Sequence, residues 1–315
     1  MSSFTDTVRS ELTREECKWP CCALAELNAN LLLTGGVAFR GRGRYGLTLS
    51  TEHNSVSRYY FAEVKKHLGV TCEIRTLRIA QLGERTRYEL VFPDERVGEV
   101  MEKLRLSDER ALFGVRQTPA GEILARGCCR AAFLKSAFLS SGSVSRPEKE
   151  YALAISAGSR EMAEAVAEVM RGYSLSAGVS PRKAQYVAYL KGAEDISAFL
   201  TVIGAHSAVL SLENTRIIKQ FRNEANRLAN CDSNNIERTL RSAQSQIEDI
   251  ELVMNSTDFE KLPPSVREIA YLRLNDLNAS LTELGEMCRP PIGKSGVNNR
   301  LRRISEMARI IREGE

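Results

Sequence analysis

The cysteines are the residues of this sequence whose spacing most invites a chemical interpretation. Cys17, Cys21, Cys22, Cys128 and Cys129 would lie close together if two helices beginning at the adjacent pairs started side by side. A thiolate site for zinc or for an iron–sulfur cluster is one interpretation of such a group. The sequence has no C-x-x-C pair and no histidine close to these positions, and small thiols suit close helix packing. We therefore predict reduced cysteines, no metal and no cofactor.

Other catalytic motifs are missing from the sequence. The three histidines, His53, His67 and His206, do not stand in a hydrolase arrangement with serine or aspartate. The G-x-G between Gly41 and Gly46 falls between two predicted strands and does not begin a helix, and there is no Walker lysine motif. These patterns do not favour a nucleotide-dependent enzyme.

The two cysteine pairs open a phrase that occurs twice in the chain. CCALAELNANLLLTGGV begins at Cys21, and CCRAAFLKSAFLSSGSV begins 107 positions later at Cys128. Small residues recur at every fourth position, which on a helix forms a stripe that lets two backbones come close. Glycine ends each predicted helix, at Gly35 and Gly142, where we expect a left-handed turn. The repeat predicts two copies of a domain-sized unit that face each other.

The segments after each phrase predict the same series of elements. Each copy shows helix, strand, strand, helix, strand, strand, helix, and the second helix of the first copy ends at Gly69. This α+β pattern resembles the LAGLIDADG homing endonuclease family, with motif helices at Leu27 to Gly35 and Leu134 to Gly142. The resemblance implies two tandem αββαββα repeats that form a pseudo-two-fold saddle over DNA. It also implies an acidic metal ligand before each final glycine.

Those two ligand positions depart from the family pattern. Thr34 precedes Gly35, Ser141 precedes Gly142, and no carboxylate lies close to either position in sequence. Mg²⁺ needs carboxylate oxygens, and a phosphodiester-cleaving site of this kind needs the metal. We therefore predict no catalytic residue and no nuclease activity. A nuclease with relocated ligands is the alternative.

A basic tract runs through the strands of the first repeat. Arg40, Arg42 and Arg44 alternate, which would place their side chains on one face of an extended segment. The other candidate phosphate contacts are Arg75, Arg78, Arg85 and Arg87. An ordinary solvated surface is the alternative interpretation of all these arginines.

The last third of the chain is helical in pattern. A predicted linker consists of two helices separated by a break at residues 231–234. A further helix is predicted from Pro264 to Leu274. Ser280, with Glu283 three residues later, predicts a capping box on the next helix. Two prolines form a turn after that helix, and Ser295 is predicted to cap the final helix.

The final helix combines an apolar face with a basic one. Its predicted core positions are Val297, Leu301, Ile304, Ala308 and Ile311. From Arg289 to Arg312 the chain has seven lysines or arginines and one acidic residue, Glu306, which gives +6. This layout is typical of a helix-turn-helix, whose second helix enters the major groove. The candidate DNA-binding residues are Ser280, Thr282, Lys294, Ser295, Asn298, Asn299, Arg300, Arg302 and Arg303.

Together with GKSGVNNRLRRI and RNEANRLANCD, the altered motif helices make nearly the whole chain resemble the WhiA family. The resemblance implies a bacterial transcriptional regulator of cell division, chromosome segregation and sporulation septation. Double-stranded DNA at promoters is the implied partner. A scaffold that binds another transcription factor or RNA polymerase is the alternative.

Composition and length agree with a multidomain chain. The 315 residues are 43% hydrophobic and 27% charged, with a net charge of +4. The predicted domains are an arm at 1–20, repeats at 21–125 and 126–210, a helical linker at 211–257 and the helix-turn-helix at 258–315. No apolar run of about 18 residues occurs, and the N-terminus is polar, so we expect a cytoplasmic, nucleoid-associated protein without a membrane partner. Oligomeric state stays open, with a monomer favoured.

Overall fold

The structure, a computed structural model, describes residues 3–40, 45–79, 85–108, 114–256 and 259–313. At residues 79, 85, 228 and 231–236 it describes the backbone alone. The chain divides into two compact units, residues 1–219 and 220–315.

The first unit contains a short N-terminal helix and two repeats with the same order of elements. The N-terminal helix is α1 (Phe4–Leu12). The first repeat contains α2 (Pro20–Thr34), β1 (Gly36–Phe39), β2 (Tyr45–Thr51), α3 (Asn54–Leu68), β3 (Glu73–Ile79), β4 (Arg85–Val91) and α4 (Asp94–Lys103). The second contains α5 (Gly127–Ser141), β5 (Gly142–Val144), β6 (Ala152–Ala157), α6 (Arg160–Arg171), β7 (Gly178–Arg182), β8 (Gln185–Lys191) and α7 (Ala193–Val202). The predicted αββαββα order is confirmed in both copies.

Each repeat forms one antiparallel sheet, and the two sheets have the same topology. Their strand orders are β1-β2-β4-β3 and β5-β6-β8-β7. In β6 the buried residues Leu153, Ile155 and Ala157 alternate with partly exposed ones, as a sheet with one covered face requires. The helices therefore cover one face of each sheet and leave the other face outside.

The motif helices α2 and α5 pack directly against each other through their small residues. Ala25 and Ala29 of α2 are fully buried, and so is Ser136 of α5. The Ser136 hydroxyl donates to the main-chain carbonyl of Glu26 at 2.5 Å, which requires the two backbones to approach closely. The predicted small-residue interface is therefore present between the repeats.

The glycines that follow the motif helices serve a different purpose from the one predicted. Gly35 and Gly142 have extended conformations, with φ values of −71° and −76°, so the predicted left-handed turns are wrong. A Cβ atom at Gly35 would lie 2.5 Å from the Leu31 carbonyl oxygen, and one at Gly142 would lie 2.6 Å from that of Phe138. A side chain at either position would clash, because each strand begins directly against the last turn of the helix that precedes it. Gly69, in contrast, ends α3 in the left-handed region, with φ of 67°.

A buried ion pair crosses the α2–α5 interface. The Glu26 carboxylate accepts from the Lys135 ammonium at 3.2 Å and from the Tyr59 hydroxyl at 2.5 Å. Burial raises the pKa of Glu26, while the Lys135 charge and the Tyr59 hydrogen bond oppose that rise. Lys135 also lies over the Tyr59 ring, 4.6 Å from its centroid. The network joins α2, α3 and α5.

One long helix, α8 (His206–Met254), leaves the first unit and continues into the second. It has no break at residues 231–234, so the predicted division into two helices is wrong. The segment has no glycine or proline, and Asp, Ser and Asn each cost a helix interior only up to about 0.7 kcal/mol. That cost is too small to end a helix flanked by good helix formers.

The second unit closes around its own apolar core. After α8 come one 3₁₀ turn (Phe259–Lys261), α9 (Pro264–Asn275), α10 (Leu281–Met287) and α11 (Lys294–Glu313). The core includes Ile250, Val253, Phe259, Val266, Ile269, Leu284, Val297, Leu301, Ile304 and Ala308. Along the part of the chain that the structure describes, no helix has both the length and the apolar character of a membrane span.

Replacing Lys135 by methionine should destabilise the first unit by leaving the buried Glu26 carboxylate without its cation. We expect a loss of about 3–5 kcal/mol in unfolding free energy at about pH 8. Because the folded-state pKa of Glu26 is raised, the folded chain takes up the proton first, and the loss should shrink as the pH falls toward about 5. Urea titration followed by the fluorescence of Trp19, the only tryptophan, measures both values.

The control for this substitution is Lys66→Met, because the Lys66–Glu16 pair at 2.7 Å is exposed. It should change stability little at either pH. A loss at Lys135→Met that is absent at about pH 8, or that is the same at both pH values, would contradict the buried-pair assignment.

Candidate nucleic-acid interface

The C-terminal ends of the two motif helices meet at a cluster of hydroxyl groups. Thr34 donates to the Asn30 carbonyl at 3.3 Å, and Ser141 donates to the Ser156 carbonyl at 2.7 Å. The Asn30 amide donates to the Ser140 hydroxyl at 2.8 Å across the helix pair. The two predicted degenerate positions are therefore brought to one place, as the resemblance implied.

A cleft of about 340 Å³ opens at these helix ends, where the outer faces of the two sheets meet. Its charged lining consists of the two arginines Arg9 and Arg87 and the single carboxylate Glu52. His53 also lines it, and burial, followed by the nearby Arg9 charge, lowers the pKa of its imidazole. Mg²⁺ and Mn²⁺ prefer several oxygen ligands with negative charge. The residues present do not fit the catalytic metal that the fold class implies.

The basic tract of the first sheet does not form one continuous positive face. Cross-strand pairing places Arg75 and Arg87 on the outer face together with Glu89, while Arg78 points to the other face. Arg75 also pairs with Glu73 at 2.8 Å.

The remaining arginines of the tract add little to that face. Arg40 pairs with Asp94 at 2.7 Å at the end of β1. Arg42 and Arg44 lie outside the described residues, and the Arg85 side chain is not described. Arg78 therefore lies on a different face from Arg75 and Arg87, and the charges of Arg40 and Arg75 are largely compensated.

The outer face of the second sheet carries basic residues that the sequence analysis missed. Lys191 and Tyr189 of β8 face outward with Ala152 and Ala154, and the Lys191 ammonium lies 5.1 Å from the Tyr189 ring centroid. Arg182 of β7 pairs with Gln185 on the same face. Among the paired positions of β5 to β8 on this face, all of them described, none is acidic. In the sequence, small residues alternate with Leu153 and Ile155 in β6. That alternation was the signal that could have revealed this outer face.

In the second unit, α10, a turn and α11 form a compact helix-turn-helix. The predicted capping box is confirmed: the Ser280 hydroxyl accepts from the Glu283 amide at 3.3 Å, and the Glu283 carboxylate accepts from the Ser280 amide at 2.7 Å. This contact with the Ser280 main chain lowers the pKa of Glu283. The Ile292 amide donates to the Gly285 carbonyl at 2.9 Å and so fixes the turn against α10.

Helix α11 begins two residues earlier than predicted. Lys294 is its first residue, and the Gly293 carbonyl accepts from the amides of Gly296 and Val297 at 2.8 and 3.2 Å. Ser295 is therefore in the first turn, and the prediction that it caps the helix is wrong. The predicted core positions are confirmed by the burial of Val297, Leu301, Ile304 and Ala308 and by the partial burial of Ile311.

The polar face of α11 presents its N-terminal half to the surroundings. Asn298, Asn299, Arg302 and Arg303 are exposed. Arg300 differs from the prediction, because its side chain is only 23% exposed and donates to the Ser265 carbonyl of α9 at 3.2 Å. It therefore holds α11 against α9.

The candidate residues divide between two grooves of the second unit. Asn299, Arg302 and Arg303 line one of about 510 Å³. Ser280, Thr282 and Lys294 line another of about 280 Å³, together with residues of α8.

At the other end of the motif helices, four of the five clustered cysteines come together. The sulfur atoms of Cys21, Cys22, Cys128 and Cys129 all lie within 4.8 Å of one another. Cys17 is outside this group, and its thiol donates to the Trp19 carbonyl at 3.4 Å. Seven described cysteines have free thiols.

The fold and the second unit define a LAGLIDADG-like two-repeat protein with a C-terminal helix-turn-helix domain. The descriptions of the matching families agree with the two units. The WhiA N-terminal LAGLIDADG-like domain matches residues 20–107, the WhiA LAGLIDADG-like domain matches 130–222, and the WhiA C-terminal HTH domain matches 225–308. The chain therefore belongs to the WhiA family.

Known relatives match over nearly their full lengths. The chain is 41% identical over 308 residues to the probable cell division protein WhiA of Heliobacterium modesticaldum, covering 97% of this chain and 96% of the relative. It is 38% identical to that of Desulforamulus reducens, covering 99% and 97%. The crystal structure of full-length DUF199/WhiA from Thermotoga maritima has the same fold, with a TM-score of 0.60, 22% identity and 98% coverage of both chains.

We expect the protein to leave supercoiled plasmid intact when incubated with Mg²⁺ or Mn²⁺. The reason is that the helix ends offer hydroxyls and guanidinium groups, where a cutting site would need several carboxylates. Gel electrophoresis of the plasmid measures the result, with a plasmid-linearising endonuclease as positive control. Linearisation at one site would contradict the account.

Gly285→Ala should destabilise the helix-turn-helix, because a Cβ atom there would clash with the Ile292 carbonyl oxygen. We expect a loss of about 1–3 kcal/mol, as for other overpacked sites. Gly293→Ala is the matched control, since its Cβ atom would meet no other atom within 4 Å. Hydrogen exchange across α10 and α11 should quicken in the first variant only, and equal exchange in both would refute the assigned contact.

Proposed function

We propose that this protein is a sequence-specific, non-catalytic DNA-binding regulator of transcription, and that α11 is its recognition helix. The observation that carries the proposal is the exposed N-terminal half of α11, which presents Asn298, Asn299, Arg302 and Arg303 on a firmly packed helix. In a helix-turn-helix, that end of the second helix faces the base edges of the major groove.

The residue types on this face suit base and backbone contacts. An asparagine amide can bind adenine through two hydrogen bonds, and an arginine guanidinium can bind guanine in the same way. Lys294 and Ser295 lie in the first turn of α11, where main-chain amides and the helix dipole favour a phosphate. Arg300 takes no part in DNA contact in this proposal, because it is engaged with α9.

The first unit acts in this proposal as a DNA-binding surface without cleavage. Arg182 and Lys191 on the second sheet are exposed and have no acidic neighbour on their face, so they are better placed for phosphate contact than Arg40 or Arg75. The helix-turn-helix of the second unit supplies sequence recognition.

The cellular role that we propose follows the relatives, which are named as probable cell division proteins. We place the chain among regulators of cell division, chromosome segregation and sporulation septation. Promoter DNA is the proposed partner. We place the protein in the cytoplasm, on the nucleoid.

A salt series with promoter DNA tests the recognition helix. Each phosphate contact contributes about −0.9 to the slope of log affinity against log salt. Arg302→Ala or Arg303→Ala should therefore flatten that slope by roughly one unit if the side chain meets phosphate. If it meets a base, affinity for the preferred sequence should fall by about 1–3 kcal/mol instead.

Arg309→Ala is a closely matched control for Arg302→Ala. Both arginines are exposed, at 72% and 75%, and both pair with a glutamate four residues later on α11. They differ in lying two turns apart along the helix. Equal effects of the two substitutions, or no effect at Arg302 and Arg303, would exclude the N-terminal half of α11 as the contact surface.

A further inference from the structure

The four-thiol cluster of the first unit, Cys21, Cys22, Cys128 and Cys129, is not needed for the DNA-binding role proposed above. Its sulfur atoms all lie within 4.8 Å of one another. The two thiols of the second pair are separated by 4.0 Å. The cysteines come from positions 107 residues apart, so the fold brings them together.

The arrangement follows from the way the two repeats pack. Cys21 and Cys22 are the second and third residues of α2, and Cys128 and Cys129 are the second and third residues of α5. The helices lie side by side in the same direction, because their last turns also meet, through Asn30 and Ser140. Equivalent first-turn residues of the two repeats must therefore face each other, two from each side.

The sulfur spacing fits one tetrahedral metal ion. Zn–S bonds of about 2.3 Å place the sulfurs of a tetrahedral site about 3.8 Å apart. Separations within 4.8 Å reach that value through small side-chain rotations. An iron–sulfur cluster holds its cysteine sulfurs farther apart, since iron and sulfide ions lie between them. Thiolates also disfavour Mg²⁺ and Ca²⁺, which select oxygen ligands.

The surroundings suit a site with net negative charge. Four thiolates and one Zn²⁺ carry −2, and both helix N-termini point positive partial charge at them. The Arg126 guanidinium lies 3.9 Å from the Cys21 sulfur and adds a full positive charge. Cys22 and Cys129 are buried, Cys21 is half-buried and Cys128 is exposed, so an ion can reach the cluster from outside.

Each thiol that binds a metal releases its proton to solvent, and no electron transfer is needed. A dication favours this release because it stabilises all four thiolates together.

The other described cysteines behave differently. Cys17 and Cys288 donate their thiols to main-chain carbonyls, at 3.4 and 3.3 Å. Cys72 is buried and lies outside the four-thiol group. Single thiols of this kind are typical of packing, and the convergence of two pairs is not.

We propose that Cys21, Cys22, Cys128 and Cys129 form a structural zinc site that joins the two repeats at the N-terminal ends of α2 and α5. This departs from our sequence-based prediction of no metal. The site lies at the opposite end of the motif helices from Thr34 and Ser141, so it has no part in phosphodiester chemistry. Its role is to hold the two halves of the saddle together.

Metal analysis of the full chain tests the proposal. The protein is purified under reducing conditions without chelator or metal-affinity resin and then dialysed. We expect about one zinc per chain. Cys21→Ala/Cys128→Ala removes one ligand from each pair, and these are the two more accessible thiols, so the fold should suffer least. The double variant should lose the zinc, while Cys72→Ala should keep it. The proposal is overturned if the wild-type chain holds no zinc after incubation with zinc. It is also overturned if the double variant holds as much zinc as the wild-type chain.

A second measurement does not depend on whether the variants fold. Cobalt added to reduced, metal-free wild-type chain should produce the visible bands of a tetrahedral thiolate site, together with a thiolate-to-cobalt charge-transfer band. Added zinc should then abolish both. Trp19 directly precedes α2, so its fluorescence should change at the same equivalence point. Absence of the cobalt bands from the reduced chain overturns the proposal. So does isolation of these cysteines as disulfides, if the chain binds no cobalt once they are reduced.

Discussion

The close approach of α2 and α5 determines how the two repeats of the first unit meet. Alanines and Ser136 fill the interface, and the Ser136 hydroxyl reaches the Glu26 main chain of the facing helix. Larger side chains at these positions would separate the repeats. Because the helices run side by side in one direction, every pair of equivalent residues at their ends is brought together. The interface therefore determines both the hydroxyl cluster at one end and the four-thiol cluster at the other.

The two halves of the first unit share a backbone plan but not a charge pattern. The Glu26–Lys135–Tyr59 network has a carboxylate on one motif helix and an ammonium on the other, so it orders the interface in one orientation. The outer face of the first sheet mixes Arg75 and Arg87 with Glu73 and Glu89, whereas the second sheet presents Arg182 and Lys191 without acidic neighbours. A pseudo-symmetric fold has thus been divided into unequal surfaces. In the function that we propose, recognition of a DNA sequence falls to the separate helical unit.

Local signals in the sequence predicted the features that depend on neighbours along the chain. The order of elements in both repeats, the Ser280–Glu283 capping box and the apolar face of α11 are confirmed.

The failures concern contacts that no local pattern encodes. The sequence predicts that Arg300 belongs to an exposed basic face, but its guanidinium donates to the Ser265 carbonyl of α9 and is half-buried there. The glycines after the motif helices are required by a steric contact with the preceding helical turn. The predicted break in α8 gave too much weight to three residues that are only mildly unfavourable in a helix. The meeting of four thiols depends on helix packing across 107 residues, which spacing alone suggested but could not place.

We propose that this fold binds a duplex through α11 while the C-terminal ends of its motif helices stay without metal. A crystal structure of the full chain with its promoter duplex, grown in Mn²⁺, tests it most directly through the anomalous signal of manganese. We expect the first half of α11 to lie in the major groove, both DNA strands to be intact, and no manganese to lie between Thr34 and Ser141. Manganese at that position beside a nicked strand, or α11 held away from the DNA, would contradict it.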